Sequence, residues 1–295
     1  MKTVSLIGVG RLGGALAIAL SRAGYDIKQL IYLTARPSAE TLSSIKGRPD
    51  QVSFDDLRPI ASDILFITTG DDQIESACAS AAAFLSPGTT VLHTSGALSS
   101  EVLSPAAKKG VATGSMHPLI SISDALRGAD VMSEAFFCIE GSDTAVSAAD
   151  SMVAALGGRS FTIETAFKPL YHAAAVLASG HMVSLFETAI ETLTKCGLDS
   201  GRAKEVLFPL LASSVGNLAD QDTAAALTGP FSRVDGSAIR RHLDVFDREG
   251  LRETKRIYID IGEKALELAE RNGASTSEVD KIRETLKLAL EQGRC

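Results

Sequence analysis

The groups able to move a proton or grip an anion fall on a few short stretches of this chain. One stretch is helical in pattern and carries Lys168, Tyr171, His172, Ser179 and His181. Lys168, His172 and Ser179 stand at i, i+4 and i+11, which places them on one helix face, with Tyr171 and His181 beside it. An ammonium and an imidazole one turn apart can act as general acid, general base or substrate donor. A merely wet first turn explains Lys168, Tyr171 and His172 equally well, but not Ser179. His117 precedes Pro118, so its backbone is pushed to extended geometry at the end of a strand-like run. It is either an acid, a base or an amide-holding donor, or else a satisfied structural histidine. Arg233 lies in the turn-rich run Leu227-Thr228-Gly229-Pro230-Phe231-Ser232-Arg233-Val234-Asp235. Its planar fork can hold a carboxylate through two bonds, or pair with Asp235 or with another subunit's acid.

These groups need something to act with, and the N-terminus supplies a candidate. A strand-like run, Thr3-Val4-Ser5-Leu6-Ile7, leads at once into Gly8-Val9-Gly10-Arg11-Leu12-Gly13 and then a helical apolar pattern ending at Gly24. In G-x-G-x-x-G between strand and helix, Gly8 allows the tight turn, Gly10 lets the backbone approach a diphosphate, and Gly13 lets the helix sit close on the strand. The amides of Arg11, Leu12 and Gly13 open the helix, whose N-terminus attracts phosphate. The competing reading is a glycine-rich turn that binds nothing. The second strand ends Tyr32-Leu33-Thr34-Ala35-Arg36-Pro37-Ser38, with no acid to hold a ribose 2′-hydroxyl. Arg36 can stack on adenine and pair with a 2′-phosphate, with Ser38 and Thr41 as further donors, so NADP is expected over NAD; a solvated surface arginine is the plain alternative. Arg11 either covers the diphosphate or faces water. Thr69 and Gly70 end a further strand where the cofactor's ribose would lie, and Asp71 and Asp72 can cap the helix over 73–84. Thr94-Ser95-Gly96 puts small donors at another strand's carboxyl end, suited to a nicotinamide amide or a substrate carboxylate. An ordinary turn and cap, with Ser99 and Ser100 ahead of Glu101, would use the same residues.

The elements that position these groups alternate. Apolar strand candidates cover 3–8, 27–34, 63–68, 90–94, 111–116, 135–140 and 159–163. Runs such as Ile64-Leu65-Phe66-Ile67 and Ala135-Phe136-Phe137-Cys138-Ile139 are apolar throughout, as in parallel strands covered on both faces. The expected fold is α/β, a doubly wound parallel sheet over 1–164 followed by an all-α domain over 165–295, with ligand at the strands' carboxyl ends. Residues 168–196 read as one helix, apolar nearly all round, hence buried between domains or subunits. Later helices are expected over 199–217, 235–247, 251–272 and 276–292.

Composition narrows the classes. Of 295 residues 45% are hydrophobic, and net charge is −7, with a pI near 5.3. No basic patch suggests nucleic acid, and tryptophan is absent. No apolar run looks long enough to span a bilayer, which takes about 20 residues, and no leader precedes the first strand. Cys78, Cys138, Cys196 and Cys295 are widely spaced, with no CxxC pair, which suits a reducing cytoplasm and argues against a metal site.

Gly8 to Gly13, His93-Thr94-Ser95-Gly96-Ala97, His117-Pro118-Leu119, Tyr171-His172-Ala173-Ala174 and Leu227-Thr228-Gly229-Pro230 together span nearly the whole chain. The combination resembles bacterial proteins that join a Rossmann-like domain to domain of unknown function 2520. These are often described as NADP-dependent oxidoreductases related to coenzyme F420-dependent ones. More distantly it resembles pyrroline-5-carboxylate reductase, β-hydroxyacid dehydrogenases and ketopantoate reductase. The resemblance implies a nicotinamide-binding domain, an all-helical C-terminal domain and a homodimer through the helices. By analogy Lys168 would protonate the carbonyl oxygen, His172 would orient the substrate, and Arg233, Ser179 and the Ser95-Gly96 turn would hold it. The implied activity is NADPH-dependent reduction of a small carbonyl or imine acid, such as the 2-oxo acid ketopantoate. Two departures stand out. Gly180, followed by His181, stands where the family often has the asparagine of Ala-Ser-Asn, and Val234 stands where the family often has glycine. A dinucleotide-binding sensor or scaffold without turnover is therefore the alternative, and a deazaflavin in place of NADPH a third reading.

Overall fold

The computed structural model describes residues 2–292; Cys295 lies outside them. In chain order come β1 (Thr3–Ile7), α1 (Arg11–Arg22), β2 (Asp26–Tyr32), α2 (Ala39–Ser43), β3 (Asp50–Ser53), β4 (Ile64–Ile67), α3 (Asp71–Ala81), β5 (Thr90–His93), α4 (Ser104–Ala107), β6 (Ala112–Pro118), α5 (Ala125–Val131), β7 (Phe136–Gly141), α6 (Asp143–Leu156), β8 (Arg159–Thr162) and α7 (Lys168–Ala178). There follow α8 (Gly180–Thr194), α9 (Ser200–Asp220), α10 (Thr223–Ala226), α11 (Gly229–Ser232), α12 (Gly236–Arg248), α13 (Arg252–Arg271) and α14 (Thr276–Gln292). The chain divides into two compact units, one up to His181 and one from Met182.

The expected α/β sheet followed by helices is what forms. Eight strands make one sheet in the order β3-β2-β1-β4-β5-β6-β7-β8. β1 to β6 are parallel, β6 pairs antiparallel with β7, and β8 is parallel to β7. The apolar strands alternate between two covered faces. Leu6 and Phe66 join Leu16, Ile18, Leu20, Phe137 and Met152 in one core layer. Ile7, Leu65 and Ile67 join Ile74, Cys78 and Leu103 in the other. Strand order reverses between β1 and β4, so their carboxyl ends form the crevice where such sheets bind ligands.

Two strand expectations are corrected. The run over 135–140 reveals burial on both faces but not direction, and β7 runs opposite to β6. β3 was not expected at all: Asp50-Gln51-Val52-Ser53 lies at the sheet edge and buries only Val52. The long helix expected over 168–196 is two helices, broken at Ser179 (φ −123°, ψ −75°). Ser179 Oγ donates to Ala175 O at 2.8 Å, a back-bond that competes with regular helix propagation. Nor is the stretch buried within the chain: Leu170, Leu177 and Val183 are each more than 60% exposed. The segment Thr165–Thr194 is also long and apolar enough to cross a bilayer by length and composition alone, contrary to the expectation of no such run.

The second unit gathers its own core from Phe231, Ile239, Leu243, Ile259, Leu266, Val279, Ile282 and Leu286. Spacings of three and four residues within α12, α13 and α14 turn these side chains inward. Gly262 makes room for the Phe231 ring, since a Cβ there would lie 2.7 Å from Phe231 Cζ. Asp199, Asp222 and Asp235 cap α9, α10 and α12 through their carboxylates.

Candidate active site

The glycine loop is built as its spacing requires. Gly8 adopts φ +90°, and a Cβ there would stand 2.9 Å from Thr68 C and Thr69 N. A Cβ on Gly13 would collide with Gly8 O and Thr68 Oγ1. Thr68 Oγ1 donates to Gly8 O, tying the loop to β4. Gly10 differs: nothing lies within 4 Å of where its Cβ would point. It is the N-cap of α1 and supplies no side-chain cap, and no acid occupies the first turn. The first amides of α1 therefore lack both a capping oxygen and a compensating charge, which suits a diphosphate. Arg11 is exposed at the same helix end.

Arg36 is exposed, with Nε donating to Tyr32 OH at 3.2 Å and the guanidinium 5.8 Å from the Tyr32 ring centroid. Ser38 is the cap of α2, accepting from Thr41 N at 3.1 Å, so these two hydroxyls already bond to each other. Gly70 is the N-cap of α3, and Asp71 and Asp72 fill its first turn without capping it. That corrects their expected role: the helix starts two residues early and its dipole favours both acids there.

A cleft of about 390 Å³ joins these parts, bordered by Arg11 and Leu12 of the loop, Thr69 and Gly70, Ser95 and Gly96, and His117 and His172. The turn after β5 is tightly made. Ser95 N donates to His93 Nδ1 at 3.1 Å, while Ser95 Oγ accepts from Ala97 N and Leu98 N. Burial and the Lys168 charge pull fully buried His93 down to about 3, so it is neutral near pH 7. Gly96 lies beneath two rings, its Cβ position being 2.6 Å from His172 Cδ2 and 2.9 Å from His117 Nε2. Only glycine leaves both imidazoles room.

His117 is extended within β6, as Pro118 requires, and its Nδ1 lies 2.7 Å from Tyr171 OH. Burial, Lys168 and His172 together pull His117 down to about 4, while burial pushes the Tyr171 phenol up. A protonated phenol facing a neutral imidazole donates to Nδ1, and that assignment leaves the proton of the ring on Nε2, beside Gly96. Lys168 is fully buried and stands behind this turn. Its Nζ donates to Ser115 Oγ at 2.8 Å and to Ser95 O at 3.2 Å. Burial lowers its pKa, against the opposing pull of Cys138, Glu140 and Asp71. So Lys168 and His172, one turn apart, serve different places, the first the interior and the second the cleft. Ser179 borders a second cavity that shares His117, Ile120 and His172 with the cleft. Arg233 is exposed at the turn before α12 in the second unit. Ser115 and Gly96 complete this arrangement. Neither role shows in sequence, because Ser115 is an ordinary strand serine and the crowding at Gly96 comes from residues on β6 and α7.

Residues 1–118 match the profile of a Rossmann-like domain, and residues 135–265 match DUF2520, a domain of unknown function. The chain joins a Rossmann-like domain to a DUF2520 domain. No curated protein matches it in sequence. Among solved structures, this DUF2520 protein is similar to BF3122 of Bacteroides fragilis, provisionally described as an NADP oxidoreductase, with TM-score 0.72 at 21% identity over 90% of this chain and 98% of that one. It is also similar to the pyrroline carboxylate reductase of Plasmodium falciparum, solved with NADP bound, with TM-score 0.57 at 15% identity over 96% and 97% of the two chains. A reductive aminase of Aspergillus terreus, in complex with NADPH and ethyl levulinate, gives TM-score 0.56 at 15% identity over 100% and 95%. At these identities the likeness is one of fold.

Proposed function

We propose that this protein is an NADP(H)-dependent oxidoreductase that reduces the C=O or C=N bond of a small carbonyl or imine acid. One observation carries the reading: the uncapped start of α1 and two imidazoles, His117 and His172, border one cleft. The amides of Arg11, Leu12 and Gly13 would hold the diphosphate, Arg36 the 2′-phosphate, and Thr69, Gly70 and Ser95 the inner ribose and amide. When bound, the reduced nicotinamide supplies a hydride to the substrate carbon. His117 offers its Nε2–H to the substrate oxygen or nitrogen and stabilises charge developing there. His172, the second imidazole on the cleft, delivers the proton. Lys168 is a positioning residue, holding Ser95 O and Ser115 so that Gly96 stays beneath both rings.

The exposed apolar side chains of α8 and α9, among them Val183 and Phe208, support a homodimer built through helices of the second unit. Light scattering of the purified protein checks it. The reductase reading is tested by fluorescence titration with NADPH and NADH, followed by NADPH oxidation with a carbonyl-acid panel that includes ketopantoate and pyrroline-5-carboxylate. Absence of binding to either nucleotide would sink it. A binding protein without turnover remains the second reading, and the burial of Lys168 away from the cleft favours it. Tight NADPH binding with no oxidation across the panel would select it.

A further inference from the structure

The cavity beyond the two histidines is larger and of different character. It measures about 610 Å³, lies within the sheet unit, and shares the lining residues His117, Ile120 and His172 with the cleft. Its other walls include Leu119, Phe161, Ala174, Ala175 and Ala178. Tyr171, Ala174, Ala175 and Ala178 are spaced i, i+3, i+4 and i+7, so one face of α7 forms a whole side. Three alanines on that face leave open the volume that larger side chains would fill. No Lys, Arg, Asp or Glu among the described residues borders this cavity, whereas Arg11 and Asp71 border the cleft. The polar groups along its walls are partly engaged, Tyr171 OH on His117 Nδ1 and Ser179 Oγ on Ala175 O, and its rim at Ala174, Ala178 and Ser179 is exposed to solvent. A charged substituent lying against these walls gives up part of its hydration without finding an opposite charge, whereas an aliphatic or aromatic one gives up none. The volume falls within the range of ordinary small-molecule sites, roughly 300–1,000 Å³.

We propose that this cavity takes the apolar side group of the substrate, so that the compound reduced carries a bulky aliphatic or aromatic substituent next to its C=O or C=N carbon. The proposal rests on the reductase reading for its reaction but not for its binding. His117, Ile120 and His172, which border both spaces, then stand where the reacting bond in the cleft meets the substituent in the cavity.

The test uses the full-length protein and two homologous series, methyl ketones from butan-2-one to nonan-2-one and 2-oxo acids from 2-oxobutanoate to phenylpyruvate. Affinity is measured by calorimetry with and without NADP⁺, and kcat/KM wherever NADPH is consumed. Each methylene buried within the cavity should tighten binding by up to roughly fourfold. Ala175→Phe, and independently Ala178→Leu, should cancel that dependence by tenfold or more for the longest members, with NADPH affinity and melting temperature unchanged. Affinity that is flat with chain length, that falls with it, or that is undetectable in both series overturns the proposal. So does a chain-length dependence that neither variant alters. Should Ala175→Phe change only the oligomeric state, the cavity is part of a protein interface and the proposal fails. A failure of NADPH to bind overturns the reductase reading alone, because the ligand series is also read without nucleotide.

Discussion

The protein contains two histidine–tyrosine pairs that are nearly identical as pairs. His117 Nδ1 lies 2.7 Å from Tyr171 OH in the sheet unit, and His242 Nδ1 lies 2.8 Å from Tyr258 OH in the helical unit. Both tyrosines have phenols pushed up by burial, Tyr258 to about 12. Their surroundings separate them. His117 is largely buried, lies near the buried Lys168 ammonium, and packs over Gly96 at the edge of a cleft. His242 is exposed, and Tyr258 packs edge-on against Phe246 and tilts against Phe231. One pair is poised toward a cavity, while the other closes the end of a helical core. The pair alone does not make a site. What sets the first pair apart is a cleft that His117 and His172 share with the uncapped start of α1.

The largest effect expected is therefore asymmetric. His117→Ala should lower kcat by roughly 10²–10⁴, whereas His242→Ala should leave it within about twofold. Steady-state rates with a turned-over substrate decide it, and equal losses would erase the distinction between the two pairs. The next effect separates glycines that shape the fold from the one that admits a ligand. Gly10→Ala adds a methyl into open space at a backbone (φ −80°) that alanine accepts, so melting should not change. The same methyl obstructs the approach of a diphosphate, and NADPH affinity should fall about tenfold or more, near 1.4 kcal/mol. Gly13→Ala must displace Gly8 O or Thr68, and should destabilise by about 1–3 kcal/mol. Unchanged NADPH affinity in Gly10→Ala would detach the glycine loop from cofactor binding.

Those glycines were legible because sterics ties each to its position, and the alternating apolar runs revealed a sheet with two covered faces. What stayed hidden depends on contacts between distant stretches. Direction is not written in an apolar run, so β7 read like its parallel neighbours. Edge strand β3 buries one side chain and has almost no pattern. The helical spacing of Lys168 and His172 places them on one face of α7 but cannot say that the first points behind the β5 turn and the second into the cleft. The second cavity is an absence, made where alanines of α7 stand opposite Phe161 and Leu119, and no local sequence signal marks it.

The buried imidazoles also give the sheet unit a pH dependence. His93 is held near 3 in the fold and titrates near 6.5 when unfolded, so below that value the unfolded chain binds the extra proton. Stability is then complete above about pH 6.5 and declines as pH falls toward 3, by up to about 1.4 kcal/mol per pH unit for this residue. His117, held near 4, adds to the slope in the same direction. Urea midpoints measured between pH 7 and pH 4.5 should fall, and His93→Gln should flatten the decline. A midpoint that rises on acidification would show that these rings are charged in the folded protein.

The smallest effect tests the helical unit by the standard of the sheet unit, where glycine occupies each position at which a side chain has no room. Val234 breaks that pattern: at φ 53° it is the one non-glycine residue with positive φ among the described residues. It is held there by Val234 N on Phe231 O at 3.1 Å and Asp235 N on Pro230 O at 2.8 Å, between α11 and the Asp235 cap of α12. The left-handed conformation costs a residue with a Cβ about 1–2 kcal/mol, and more if it is β-branched. Against this, glycine would lose about 0.5–1 kcal/mol in chain entropy, together with the partial packing of the valine on the Phe231 cluster. Val234→Gly should therefore gain a little, up to about 1 kcal/mol, with NADPH affinity unchanged. A loss greater than about 1 kcal/mol would mean that the methyl contacts, and not the backbone, decide this turn, and would make Val234 a packing residue whose strain is tolerated for the core it completes.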